Sequence, residues 1–129
     1  DVEKSLELYT RMCSLSVTAE SLAGLGLVLS NGGRHPETGE RLIDKYAVQV
    51  AKTIMLTCGI YDCSFEFAVR VGIPSKSGVG GGILAVVEKR MGIGIYGPAL
   101  NEKGNSIGGS HVLEYLSKEL NLHMFAAEQ

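Results

Sequence analysis

The sequence lacks any run of like charge, and its acidic and basic residues are interspersed to a net charge of −2. Such a chain generates no field that gathers phosphate backbones or anionic lipid, so neither nucleic acid nor a membrane surface is an expected partner. Long apolar runs are also missing. Stretches such as Ile83 to Val87 are far too short to span a bilayer. The N-terminus shows no basic-then-apolar signal pattern, and the expectation is a soluble, unexported, cytoplasmic protein. Cysteine is scarce: Cys13, Cys58 and Cys63 are an odd number in a chain able to build its own core, which argues against a disulfide framework and for a reducing compartment. Cys58 and Cys63 do not form a Cys-x-x-Cys pair and no His lies at a matching interval, so buried thiols packing as small hydrophobes are expected rather than metal ligands.

What is present is enough for one globular domain. Hydrophobic side chains make up 45% of the 129 residues and the mean hydropathy is mildly positive. Leu6, Tyr9, Met12 and Cys13 recur at helical spacing, the pattern breaks over Ser14 to Val17, and Thr18 offers an N-cap to a second helix. That helix is expected to turn Leu22, Leu25, Val28 and Leu29 inward and to stop at Asn31-Gly32-Gly33. Arg34 to Glu40 reads as a surface turn. Ala47, Val50, Ala51, Ile54, Met55 and Cys58 step by three and four behind Asp44 as a cap, which predicts a core helix ending at Gly59. A shorter helix, with Phe65, Ala68 and Val69 inward, is expected to end before Gly72 and Pro74.

Beyond Pro74 the character changes. Ile83 to Val87 is continuous and partly β-branched, Glu88-Lys89-Arg90 is a charged connection, and Met91, Ile93 and Ile95 alternate with Gly92, Gly94 and Tyr96. An antiparallel hairpin follows from this pattern. A final helix is then expected with Val112, Tyr115, Leu116 and Leu120 inward. Helices followed by an antiparallel β-hairpin and a C-terminal helix constitute an α+β organisation. A hairpin alone is marginal, so its sheet is expected to be completed by sequence outside this chain.

The glycine cluster Gly78, Gly80, Gly81 and Gly82 invites comparison with phosphate-cradling loops. It precedes a strand instead of following one, and the Gly-Lys-Ser/Thr order is absent, so neither a dinucleotide fingerprint nor a P-loop fits. Glycines that permit a tight approach to a strand account for part of the pattern. Lys76-Ser77-Gly78 says more, because Lys-Ser/Thr-Gly beside a nucleophile is the third motif of serine β-lactamases and penicillin-binding proteins.

The setting of that tripeptide is more specific than the tripeptide itself. Cys58-Gly59-Ile60-Tyr61-Asp62 precedes it, and it lies within the unbroken block from Gly72-Ile73-Pro74-Ser75 to Gly80-Gly81-Gly82-Ile83-Leu84. Further blocks run from Cys13-Ser14 through Val17-Thr18-Ala19-Glu20-Ser21, then Asn31-Gly32-Gly33, Pro36 to Arg41, and Gly104-Asn105-Ser106. In this order, and over nearly the whole chain, the sequence closely resembles the serine-dependent glutaminases of β-lactamase-like fold. The resemblance implies hydrolysis of L-glutamine to L-glutamate and ammonia through a serine acyl-enzyme, without metal or organic cofactor, in a homo-oligomer, commonly a tetramer or a dimer.

It also implies that residues 1–129 are the C-terminal part of a single catalytic domain, the N-terminal part with its Ser-x-x-Lys motif being absent. No serine in this chain has a lysine at the third position after it. The isolated chain is therefore expected to be inactive. By the resemblance, Tyr61 relays protons to and from the serine, Tyr9 is a second tyrosine near serine and substrate, and Val79 donates its backbone N–H to the oxyanion.

The residues are compatible with these roles. Tyr61 follows Gly59 at a helix end, where its phenol emerges at a junction. A phenol, ordinarily titrating near ~10, acts as a base at neutral pH only if nearby cations stabilise the phenolate. Tyr9 lies on the stripe of Leu6, Met12 and Cys13, which packing alone also explains. Val79 sits among glycines that let the backbone approach a substrate carbonyl, a contact worth about 3 kcal/mol to a developing alkoxide. Lys76 and Ser77 are expected to shape the same edge. His35, His111 and His123 are isolated, and the four methionines read as packing residues. A penicillin-recognising serine hydrolase of the same fold and a non-catalytic assembly domain are the alternatives.

Overall fold

A computed structural model of the chain describes residues 1–126. Helix starts fall where capping side chains stand. α1 (Val2–Cys13) begins behind Asp1, and α2 (Ala19–Ser30) begins behind Thr18, whose Oγ1 accepts the Ser21 N–H at 3.0 Å. The second helix stops at Asn31, where Gly32 and Gly33 take left-handed φ of 63° and 85°. α3 (Lys45–Cys58) is capped by Asp44, which accepts from Tyr46 and Ala47 N–H at 2.9 and 3.2 Å. Those two donors hold the Asp44 carboxyl below the usual carboxylate range. A 3-10 turn over Tyr61–Cys63 leads into α4 (Ser64–Arg70), and α5 (Ile107–Glu119) starts behind the buried Ser106.

The hairpin is present. β2 (Gly82–Val87) and β3 (Met91–Tyr96) pair antiparallel from Val87↔Met91 to Gly82↔Tyr96, with Lys89 at φ 54° in the connection. A third strand corrects the expectation of two. β1 (Ser75–Ser77) pairs antiparallel with β2 in the register Lys76↔Leu84, so the sheet order is β1-β2-β3 and the Lys-Ser-Gly motif is itself strand. At three residues it is too short to show a period.

β2 is apolar without alternation because both of its faces are covered. Ile83, Ala85 and Val87 pack with Phe67 of α4 and Leu113 of α5, together with Ile60, Val71, Ile73 and Leu122. Leu84 and Val86 pack on the other side with Leu29 of α2 and with Val48 and Met55 of α3. α2 lies directly on β3. A Cβ on Gly92 would stand 2.2 Å from Ala23 O and one on Gly94 would stand 1.9 Å from Ala19 O, so backbone meets backbone there. The two glycines in β3 are thus a helix seat.

Several expected inward faces turn outward. In α3 the buried residues are Val48 and Met55, whereas Val50 and Ile54 are exposed and Ala47 and Cys58 lie with them at the surface. Helix α4 buries Ser64 and Phe67 and exposes Phe65 and Val69, and α5 buries Gly109, Leu113 and Ser117 while Val112, Tyr115 and Leu120 are exposed. Leu25 of α2 is also exposed, as are Leu6, Tyr9 and Met12 of α1. These helices are apolar on more than one side, and the sheet occupies only one of them, so periodicity alone selects the wrong stripe. The cysteines are free but not buried: Cys13 and Cys58 are exposed and Cys63 is partly exposed. Of the methionines, only Met55 is buried and Met91 partly so; Met12 and Met124 are exposed. Among the described residues no helix is long and apolar enough to cross a membrane.

Candidate active site

The site is assembled where the end of α3 meets the free edge of β1. Gly59 is required at that junction, because a Cβ there would stand 1.8 Å from Ser75 O. Ser77 N–H points away from β2 and donates to Gly59 O at 3.0 Å, which ties the edge strand to the helix end. The next residues, Ile60 and Tyr61, reverse the chain. Tyr61 takes φ of 50°, a left-handed conformation uncommon outside glycine and costing about 1–3 kcal/mol. Hydrogen bonds on either side over-determine it: Ser64 Oγ accepts the Ile60 N–H at 3.0 Å and donates to Tyr61 O at 2.7 Å.

This strained turn puts the Tyr61 phenol beside β1. The Lys76 ammonium sits 4.6 Å from the centre of the Tyr61 ring. Lys76 also donates to the Ser77 carbonyl, and partial loss of hydration lowers its pKa from the ordinary lysine value.

After Ser77 the chain makes a tight turn over Gly78 to Gly81, closed by Gly81 N–H to Gly78 O at 2.9 Å. Val79 is the second residue of that turn and is 70% exposed. Its N–H has no acceptor among the described residues, since the turn's hydrogen bonds run from Gly78 to Gly82 O and from Gly81 to Gly78 O. An unspent amide at the end of a rigid edge is what an oxyanion needs. Gly104 closes the gap between the two groups. A Cβ built on it would lie 3.3 Å from Val79 Cγ1 and 3.8 Å from Tyr61 Cε2.

Tyr9 reaches the same side. Cys13, four residues further along α1, raises the pKa of its phenol, and Tyr61 adds a smaller effect of the same sign. Of the three residues singled out from the sequence, the structure brings Tyr61 and Val79 together and adds Lys76 to them, while Tyr9 stands exposed on α1. A cleft of about 800 Å³ runs along this edge between Leu15, Val17 and Thr18 of the α1–α2 connection and Lys76, Gly78 and Gly80. Of the four groups only Lys76 lines that cleft, and a second cleft of about 820 Å³, lined by Val48, Lys52, Val86, Glu88 and His123, holds none of them.

A residue without an assigned role completes the region. Asn105 is buried, accepts from Ser77 Oγ at 2.6 Å and donates through Nδ2 to Ile60 O at 3.3 Å. The sequence marks it only as a member of the Gly104-Asn105-Ser106 block, in which Gly104 takes φ of 84°. No group of three or more His, Cys, Asp or Glu converges among the described residues, and His35, His111 and His123 lie apart from this edge.

Residues 1–125 match the sequence-family model for glutaminase. The chain belongs to the glutaminase family. Glutaminase of Clostridium botulinum (strain Loch Maree, type A3) is 54% identical over 125 residues, covering 97% of this chain and 41% of that protein. Glutaminase 2 of Clostridium perfringens (strain 13, type A) is likewise 54% identical over 125 residues, with 97% and 41% covered. The chain thus spans 41% of the length of these curated relatives. Among solved structures, the Bacillus subtilis glutaminase YbgJ, in covalent complex with 5-oxo-L-norleucine, superposes with a TM-score of 0.92 at 44% identity, covering 97% of this chain and 45% of that one. Mglu in its glutamate form gives a TM-score of 0.82 at 39% identity, with 88% and 26% covered. The α+β arrangement of this glutaminase-family chain thus corresponds to less than half of each of these solved chains.

Proposed function

We propose that the protein to which this chain belongs hydrolyses L-glutamine to L-glutamate and ammonia, and that the chain supplies one wall of the active site. The single observation that carries this reading is the convergence of the Tyr61 phenol, the Lys76 ammonium and the unspent Val79 N–H at one edge of a glutaminase-family sheet. A serine hydroxyl from a Ser-x-x-Lys motif, contributed by sequence upstream of Asp1, attacks the side-chain carbonyl of glutamine. Tyr61 accepts the serine proton, the Val79 N–H holds the tetrahedral oxyanion, and the same proton passes from Tyr61 to the departing ammonia. Water then takes the place of ammonia, attacks the acyl-enzyme and releases glutamate by the reverse sequence of proton transfers. Tyr9 remains a neutral phenol and hydrogen-bonds the substrate.

We infer further that the protein works in the cytoplasm as a homo-oligomer, a dimer or a tetramer. Exposed apolar side chains support association with further protein surface, among them Leu6, Met12, Ile54, Phe65 and Tyr115. The reaction is tested by assaying the full-length protein with glutamine and with a chromogenic β-lactam. Ammonia release from glutamine, β-lactam inertness, and no turnover by residues 1–129 alone are the expected results. Activity of the isolated chain refutes the external serine, and inertness of the full-length protein toward glutamine refutes the proposed activity.

A further inference from the structure

Three chain segments must be held in register for Tyr61 and Val79 to act on one substrate: the Gly59–Tyr61 reversal, the β1 edge that continues into Val79, and the loop 101–105 between them. The first two are joined by one backbone hydrogen bond, Ser77 N–H to Gly59 O at 3.0 Å. Ser77 Oγ makes a longer contact to the same Gly59 carbonyl at 3.4 Å, and the side chain of Asn105 bridges the two segments from the third. Its Oδ1 accepts from Ser77 Oγ at 2.6 Å, and its Nδ2 donates to Ile60 O at 3.3 Å, the carbonyl of the peptide that enters the strained Tyr61. Asn105 is 1% exposed and Ser77 is 2% exposed, so water does not compete for these bonds.

The loop that carries Asn105 is itself rigid. Asn101 N–H donates to Asn105 O at 2.9 Å, Asn101 Oδ1 accepts the Asn105 N–H at 3.0 Å, and Gly104 N–H donates to Asn101 O at 3.0 Å. Gly104 then lies between the Val79 and Tyr61 side chains, where a Cβ would press on Val79 and touch Tyr61. A buried amide bonded at both ends, on a closed loop wedged between two functional groups, acts as a spacer. We propose that Asn105 is a positioning residue that sets the separation between the Tyr61 phenol and the Val79 N–H, and so governs turnover without touching substrate.

This proposal rests on the glutaminase reading of the site. The test uses the full-length enzyme, with Ser117→Ala as the control for loss of a buried hydrogen bond elsewhere: Ser117 is 3% exposed and donates to Val71 O at 2.6 Å, away from the site. Asn105→Ala is expected to lower kcat on the order of 10²-fold, the scale of an ångström of misplacement, with a much smaller change in KM. Covalent inactivation by 6-diazo-5-oxo-L-norleucine should slow in parallel, and Ser117→Ala should retain kcat. A kcat for Asn105→Ala within about threefold of wild type overturns the proposal, because misplacement costs far more. An equal loss of kcat in Ser117→Ala overturns it too. Should Asn105→Ala fail to fold, Ser77→Ala removes one end of the same link, and wild-type kcat in that variant overturns the proposal equally. Failure of the wild-type enzyme to hydrolyse glutamine would instead strike the activity on which the proposal rests.

Discussion

Lys76 stands over the face of Tyr61, its ammonium 4.6 Å from the ring centre, although the two are separated in sequence by the whole of α4 and the chain that leads into β1. In the proposed mechanism this tyrosine carries the proton. Tyr61→Phe removes only the hydroxyl and leaves the left-handed turn and the ring contact intact. In the full-length enzyme kcat should fall on the order of 10²-fold or more, with the melting temperature near wild type. Wild-type turnover in that variant would return Tyr61 to a packing role.

Lys76 itself should leave a signature in the pH dependence of stability. Partial desolvation lowers its pKa in the folded protein, so the unfolded chain holds the Lys76 proton to higher pH. Where the unfolded state binds more protons, stability rises with pH, here as pH climbs toward the ordinary lysine value of about 10.4. Relative to Lys76→Met, the wild-type enzyme should therefore gain in urea midpoint between neutral and alkaline pH. The same variant should lose about 3- to 30-fold in kcat, the equivalent of one cation–π contact.

Val79 is expected to act through its backbone, which a side-chain scan cannot detect. Val79→Ala keeps the N–H and should retain most activity. Val79→Pro deletes the donor at the second position of a turn, a place where proline is well tolerated, and should lower kcat roughly 10²–10³-fold. Circular dichroism near wild type is the condition for reading that result, and normal turnover by a folded Val79→Pro enzyme would dismiss the oxyanion role.

The seat of α2 on β3 predicts opposite outcomes for two glycines. Gly94→Ala drives a methyl to 1.9 Å from Ala19 O, backbone against backbone, and should destabilise by about 3 kcal/mol as the helix lifts. Gly24→Ala, on the same helix with nothing within 4 Å, should stabilise by up to about 1 kcal/mol. Chemical denaturation of the two variants measures both.

Much of the architecture was legible because it is written locally. Thr18 and Asp44 cap the helices they were expected to cap, Asn31-Gly32-Gly33 stops α2, and the change of period after Pro74 marks the sheet. Helix faces were not legible in the same way. α3 is apolar on the side of Val48 and Met55 and also on that of Val50 and Ile54, and only packing against Leu84 and Val86 decides which is buried here. β1 escaped for a related reason, since a strand of three residues exists only by virtue of its partner.

Of the site, the sequence by itself determined the reactive groups: a tyrosine after the Gly59 helix end, a lysine and serine before a glycine turn, and an amide at Val79 free of side-chain demands. Those are properties of residue type and near neighbours. The approach of Lys76 to Tyr61 and the link from Asn105 to Ser77 and Ile60 were decided by tertiary structure alone. Each depends on segments tens of residues apart meeting at one sheet edge. Electrostatic and hydrogen-bond energies fall off over a few ångströms, so no spacing along the chain encodes them until the fold has brought the partners together.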